Sequence, residues 1–122
     1  MALFRNEAFV SHSGLRLSFK IECDALTEDD IETLAAIIGS KHLFGDVYGV
    51  PRGGLRLASA LQKYRSIDGP TLIVDDVFTT GASMEKARRE TGENSFGVVA
   101  FSRARCPAWI TPIFQLADWA GP

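Results

Sequence analysis

Basic clusters, metal-ligand spacings and long apolar runs are all missing from this sequence, and each absence removes a class of function. Thirteen Lys and Arg stand against fifteen Asp and Glu, a net charge of −2, with no block of like charge. The electrostatic footprint of a nucleic-acid or membrane-surface binder is therefore lacking, so any phosphate must be held locally. The two cysteines, Cys23 and Cys106, have no metal-ligand spacing, and the first residues do not run from charged to apolar as a signal sequence does. Free thiols in a reducing cytoplasm are expected. Neither histidine, His12 nor His42, has an evident acid partner, which argues against catalysis by either. The apolar runs are too short to span a bilayer. What remains, 122 residues at 46% hydrophobic, fits one α/β domain over 1–122 that can bury its own core.

After residue 26 the pattern alternates between helix and strand. Thr27 is placed as a helix N-cap with Glu28, Asp29 and Asp30 in the first turn, where negative charge suits the helix dipole. Ile31, Leu34, Ala35 and Ile38 repeat at helical spacing, with Gly39 as the expected stop. "DVYGV" predicts a strand, "PRGG" a tight turn, and "LRLASALQKY" a helix burying Leu57, Ala58, Leu61 and Tyr64. "TLIV" predicts a buried strand, "MEKARRET" a helix closed by Gly92, and "SFGVVAF" and "ITPIF" further strands. Strands separated by helices in this order predict a mostly parallel sheet flanked by helices. Residues 1–26 are ambiguous between strands and an irregular flap or hood, leaving 27–122 as the α/β core.

The stretch "TLIVDDVFTTGAS" carries the chemistry. If "TLIV" is a buried parallel strand, Asp75 and Asp76 emerge at its carboxyl end, the edge where open α/β sheets bind ligands. Gly81 lets the following turn curl, free N–H groups at the start of the next helix point at one spot, and Thr79, Thr80 and Ser83 add hydroxyls. That makes a phosphate cup. Carboxylates repel phosphate, so the two acids must face sugar hydroxyls, a divalent cation or both. A ribose 5-phosphate satisfies both halves. A plain capped turn explains one hydroxyl residue, but not two acids beside three of them.

"LIVDDVFTTGAS" resembles the phosphoribosyl pyrophosphate motif of the type I phosphoribosyltransferases. The resemblance implies that Asp75 and Asp76 hold the ribose hydroxyls and a Mg2+ ion, and that Val77, Phe78, Thr79, Thr80, Gly81, Ala82 and Ser83 cradle the 5-phosphate. "YGVPRGGLRLA" is similar to the family's pyrophosphate loop, giving Pro51, Arg52, Gly53 and Gly54 to that group, with Arg52 as its cation. "FVSHSGLRLSFKIECDALT" looks like the hood of the orotate phosphoribosyltransferases: Ser13, Gly14, Arg16 and Phe19 match, whereas Lys20 and Ile21 depart. Arg103 in "VVAFSRARC" falls where those enzymes contact the orotate carboxylate.

Two departures stand out. Only "QKYRSIDGP" separates the pyrophosphate-loop helix from the acidic strand, where the family places two strands and a long closing loop, and "ARCPAW" replaces an expected helix. The chain resembles a trimmed phosphoribosyltransferase, with Lys63, Arg65 and Lys20 as candidates to replace the loop's charge. The expected activity is Mg-dependent transfer of ribose 5-phosphate from phosphoribosyl pyrophosphate to an orotate-like base. The alternative is a non-catalytic module binding phosphoribosyl pyrophosphate or a nucleotide. A phosphohydrolase is weaker, because its paired acids usually stand one residue apart. Trp109, Phe114 and Trp119 form an apolar tail, read as core or as an interface consistent with a homodimer; an aromatic near Arg103 would offer a base a stacking face.

Overall fold

A computed structural model describes residues 1–11 and 14–116; His12, Ser13 and Trp119 lie outside the described residues. The ambiguous N-terminal segment forms short strands β1 (Phe4–Arg5), β2 (Phe9–Val10), β3 (Arg16–Leu17) and β4 (Lys20–Ile21). β1 pairs antiparallel with β4, and β2 with β3. Helix α1 (Glu28–Lys41) begins at a reciprocal cap: Asp30 N donates to Thr27 Oγ1 at 3.1 Å, and Thr27 N donates to the Asp30 carboxylate at 2.8 Å. Two of the helix's otherwise unpaired amides are thereby satisfied. Its buried residues are Ile31, Leu34, Ala35 and Ile38, as their spacing predicts.

Two local expectations need correction. Gly39 does not end α1, which runs on to Lys41. A Cβ at Gly39 would lie 2.7 Å from Tyr64 Cγ, so the missing side chain makes room for a ring rather than for a helix stop. Tyr64 is accordingly not buried: it packs at the surface against α1, 37% exposed.

The core sheet comprises β5 (Val47–Gly49), β6 (Thr71–Phe78), β7 (Ser95–Ser102) and β8 (Ile110–Gln115), hydrogen-bonded in that order and all parallel. α2 (Leu55–Leu61) joins β5 to β6, and α3 (Ala82–Thr91) joins β6 to β7. Leu72, Ile73, Val74, Val98 and Val99 are each at most 1% exposed. Cover on both faces is what permits such unbroken apolar runs, and each of these side chains contributes about 1.5–3 kcal/mol by leaving water.

The two faces carry different helices. Leu72, Val74, Val98 and Ala100 pack with Leu34 and Ile38 of α1 and Leu57 and Leu61 of α2. Ile73 and Val99, on the opposite face, pack with Met84 and Ala87 of α3 and with Trp109. Both crossovers step to the next strand in the same direction, yet their helices lie on opposite faces. They therefore have opposite hands, and one breaks the strong right-handed preference of such connections. Between β7 and β8 the chain crosses without a helix.

Candidate functional site

Asp75 and Asp76 stand where β6 reaches the carboxyl edge of the sheet. Neighbouring residues on a strand point to opposite faces, and the two acids accordingly part company: each lines a different cavity. Their carboxylates still interact at the strand end. Asp76 N donates to Asp75 Oδ1 at 2.8 Å, and Val77 N donates to Asp76 Oδ1 at 2.7 Å. Asp75 is 8% exposed. Burial first, and then the neighbouring charge of Asp76, raise its carboxyl from 3.8 to about 8.

Asp75 borders a cavity of about 380 Å3 lined by Val77, Phe78, Thr79, Thr80, Gly81, Ala82, Ser83 and Ser11. Gly81 sits at φ +85° and caps α3, so the turn needs glycine's left-handed freedom. Thr80 Oγ1 accepts from Ala82 N at 3.4 Å, one capping contact at the mouth of the helix. Phe78 is 5% exposed with its ring in the α3-side core, so its side chain forms the floor of the cavity. Among the described residues, no Lys or Arg lines this cavity; hydroxyls and the first turn of α3 supply its donors.

Asp76 borders a second cavity of about 550 Å3, lined also by Arg52, Gly53, Arg56, Asp24 and Cys23. The turn after β5 is pressed against β6. A Cβ on Gly53 would overlap the Asp76 carboxylate, and one on Gly54 would overlap the Val74 carbonyl oxygen. The paired glycines are thus required by the approach of the two loops. Pro51 and Gly54 line neither cavity; Gly54 is buried between strands. Burial raises the Cys23 thiol far above the ordinary thiol range, with the Asp76 carboxylate adding to the effect, so Cys23 stays protonated beside Asp76.

Arg103 lies at the end of β7, 5% exposed, its backbone N–H donating to the Phe78 carbonyl at 2.9 Å. Its guanidinium donates to the Phe19 carbonyl and stacks on the Phe19 ring at 3.9 Å and the Phe9 ring at 5.6 Å. Among the described residues, the aromatics stacked on Arg103 therefore come from the hood. Trp109 packs instead on α3, under Arg88 and hydrogen-bonded to Glu85, and Phe114 stacks on Phe101. Arg16 is exposed on β3 and lines neither cavity.

The proposed substitutes for loop charge are elsewhere. Lys63 pairs with Glu32 of α1, and Arg65 pairs with Asp46 and donates to the Gly45 carbonyl, just before β5 at the amino edge of the sheet. Lys20 pairs with Glu22 and lies over the Phe9 ring. The segment 65–70 is held at the same amino edge, where Ser66 N donates to Phe44 O and Gly45 N to Pro70 O. It does not reach the site. Arg56 and Phe9 were not singled out in the sequence, and Phe19 was noted there only as a match to the hood pattern.

Among the described residues, no three His, Cys, Asp or Glu side chains converge to hold a metal ion. Two carboxylates at a strand end match a magnesium ion that takes most of its oxygen shell from water and substrate phosphates. They do not match an ion caged by the protein alone.

This arrangement has the fold of the type I phosphoribosyltransferases. Orotate phosphoribosyltransferase from Aeropyrum pernix superposes with a TM-score of 0.74 at 23% identity, over 93% of this chain and 88% of that one. Orotate phosphoribosyltransferase from Mycobacterium tuberculosis H37Rv gives 0.63 at 17%, over 94% and 90%. UMP synthase from Leishmania donovani gives 0.67 at 17%, over 95% of this chain but 34% of that one. No protein-family model and no curated protein matches the chain. No helix of the described residues is long and apolar enough to cross a membrane.

Proposed function

We propose that this chain binds phosphoribosyl pyrophosphate across the end of β6 and transfers its ribose 5-phosphate to a ring nitrogen of an orotate-like base, releasing pyrophosphate. The observation that carries the reading is the placement of Asp75 and Asp76 between two unlike cavities. The hydroxyl-rich one suits the 5-phosphate, and the one with guanidinium groups suits the diphosphate on the anomeric carbon. The ribose lies between them, its hydroxyls accepted by the carboxylates. Asp75 and Asp76 would be the residues to hold a magnesium ion, which would supply positive charge for the leaving diphosphate. Arg103, at the neighbouring strand end, is the cation for a base carboxylate. Its present cover of Phe9 and Phe19 supplies flat apolar faces.

A second reading is favoured by the segment pinned at the amino edge. With residues 65–70 tied to Phe44 and Gly45, that connection offers no lid to exclude water from a developing ribosyl cation. A module that binds phosphoribosyl pyrophosphate without turning it over fits this feature. Calorimetric titration of phosphoribosyl pyrophosphate with magnesium, followed by an assay of pyrophosphate release with orotate, tests both. Binding with release supports transfer; binding without release supports the module. Absence of binding at millimolar ligand overturns the two together.

A further inference from the structure

The cavity beside Asp76 contains a cation within the "YGVPRGGLRLA" stretch to which the loop resemblance gave no role. Arg56, in the first turn of α2, lines that cavity with Arg52 of the preceding turn. Its Nη2 donates to the Leu26 carbonyl at 2.8 Å, which ties the guanidinium to the segment between the hood and α1 and so fixes its direction. Among the described residues it forms no ion pair. It also borders the shallower groove between α1 and α2, where Glu28, Glu32 and Lys63 lie, while Asp24 and Asp76 are the carboxylates in the cavity itself.

A diphosphate placed there carries several negative charges and meets two acids. One exposed guanidinium on a turn is a weak counterweight, and Lys20, Lys63 and Arg65 are engaged elsewhere. Arg52 and Arg56 are the only Lys or Arg side chains among the described residues lining either cavity. Two guanidinium groups lining one cavity can take oxygens of two linked phosphoryl groups, which a planar fork does better than an ammonium.

We propose that Arg56 is a diphosphate-binding residue of this site, acting with Arg52 on the group that leaves the anomeric carbon, and that it supplies from α2 the charge no closing loop brings. The inference rests on the reading of the site as one for phosphoribosyl pyrophosphate.

Three proteins titrated by calorimetry in magnesium decide it: the wild type, Arg56→Gln and Arg56→Lys, each with inorganic pyrophosphate and with ribose 5-phosphate. Gln keeps a donor for the Leu26 carbonyl but no charge, and Lys keeps the charge without the fork. The expected result is pyrophosphate binding weakened by roughly 10- to 100-fold in Arg56→Gln, the loss of one charge-assisted hydrogen bond, with ribose 5-phosphate unchanged. Arg56→Lys should fall between Gln and wild type. Unchanged pyrophosphate affinity in Arg56→Gln would make Arg56 a tether only. So would parallel loss of both ligands with a lower melting temperature, or Lys no better than Gln; each overturns the proposal. A wild type that binds neither ligand overturns the underlying site reading instead, and the two failures are thus told apart.

Discussion

Replacing Gly53 or Gly54 with alanine adds the same methyl group at adjacent positions, yet the consequences should separate function from stability. At Gly53 the new Cβ overlaps the Asp76 carboxylate, the free end of a side chain. The carboxylate can swing away, so the fold survives, but the group that would accept a ribose hydroxyl is displaced. Losing a hydrogen bond to a charged acceptor costs about 1.5–3 kcal/mol, or roughly 10- to 100-fold in affinity for phosphoribosyl pyrophosphate. At Gly54 the obstacles are the Val74 carbonyl oxygen in β6 and Val50 N, just past β5, at 2.7 Å, both backbone atoms. Neither can yield, so the turn and α2 must move off the strand ends. Overpacking of this kind costs about 1–3 kcal/mol, and at roughly 3–5 °C per kcal/mol for a chain of this size Gly54→Ala should melt roughly 3–15 °C lower. Thermal denaturation of both variants and calorimetry of Gly53→Ala provide the check. If Gly53→Ala binds as tightly as wild type, Asp76 is not a ribose ligand. If Gly54→Ala melts with the wild type, the two loops are not held as closely as described.

Three further outcomes follow from other parts of the chain. The raised carboxyl of Asp75 means that the folded protein keeps a proton the unfolded chain releases. Its contribution to stability is full below pH 3.8 and is lost as pH rises towards 8. Asp75→Asn should therefore gain in melting temperature relative to wild type between pH 5 and 8, by roughly the amount the wild type loses; parallel curves would refute the shift. Thr27→Ala removes one half of the α1 cap and should cost about 1 kcal/mol, seen as a melting temperature lower by roughly 3–5 °C. Arg103→Gln should weaken binding of orotate roughly tenfold while leaving uracil little changed, measured by competition; equal effects on both bases would remove Arg103 from carboxylate recognition.

Much of this was legible in the chain because local chemistry decided it. Thr27 and Asp30 announce the start of α1 by their spacing, and the apolar run that stops at Asp75 announces the carboxyl end of a buried strand. That the two acids face opposite sides was also available, since strand residues alternate. The amino-edge position of Lys63 and Arg65 was likewise implied: a helix leaving the carboxyl edge must return the chain to the other end. The stacking of Phe9 and Phe19 on Arg103 was not legible. It joins residues more than eighty positions apart through two-residue strands whose local patterns carry little signal. Arg56 was hidden for another reason, because on sequence alone it is one more cation on the polar side of an amphipathic helix.

The opposite hands of the two crossovers bear on where a ligand can lie. Open α/β sheets usually create a crevice where the strand order reverses and neighbouring loops leave in opposite directions, a topological switch point. Here the order of β5, β6 and β7 never reverses. A change of hand achieves the same divergence, sending the turn after β5 towards one layer and the turn after β6 towards the other, with Asp75 and Asp76 at the parting. A molecule long enough to occupy both hollows would fasten the α1/α2 layer to the α3 layer across the sheet edge. Binding at that crevice would protect amides in both layers from exchange at once, rather than only those of the loop it touches.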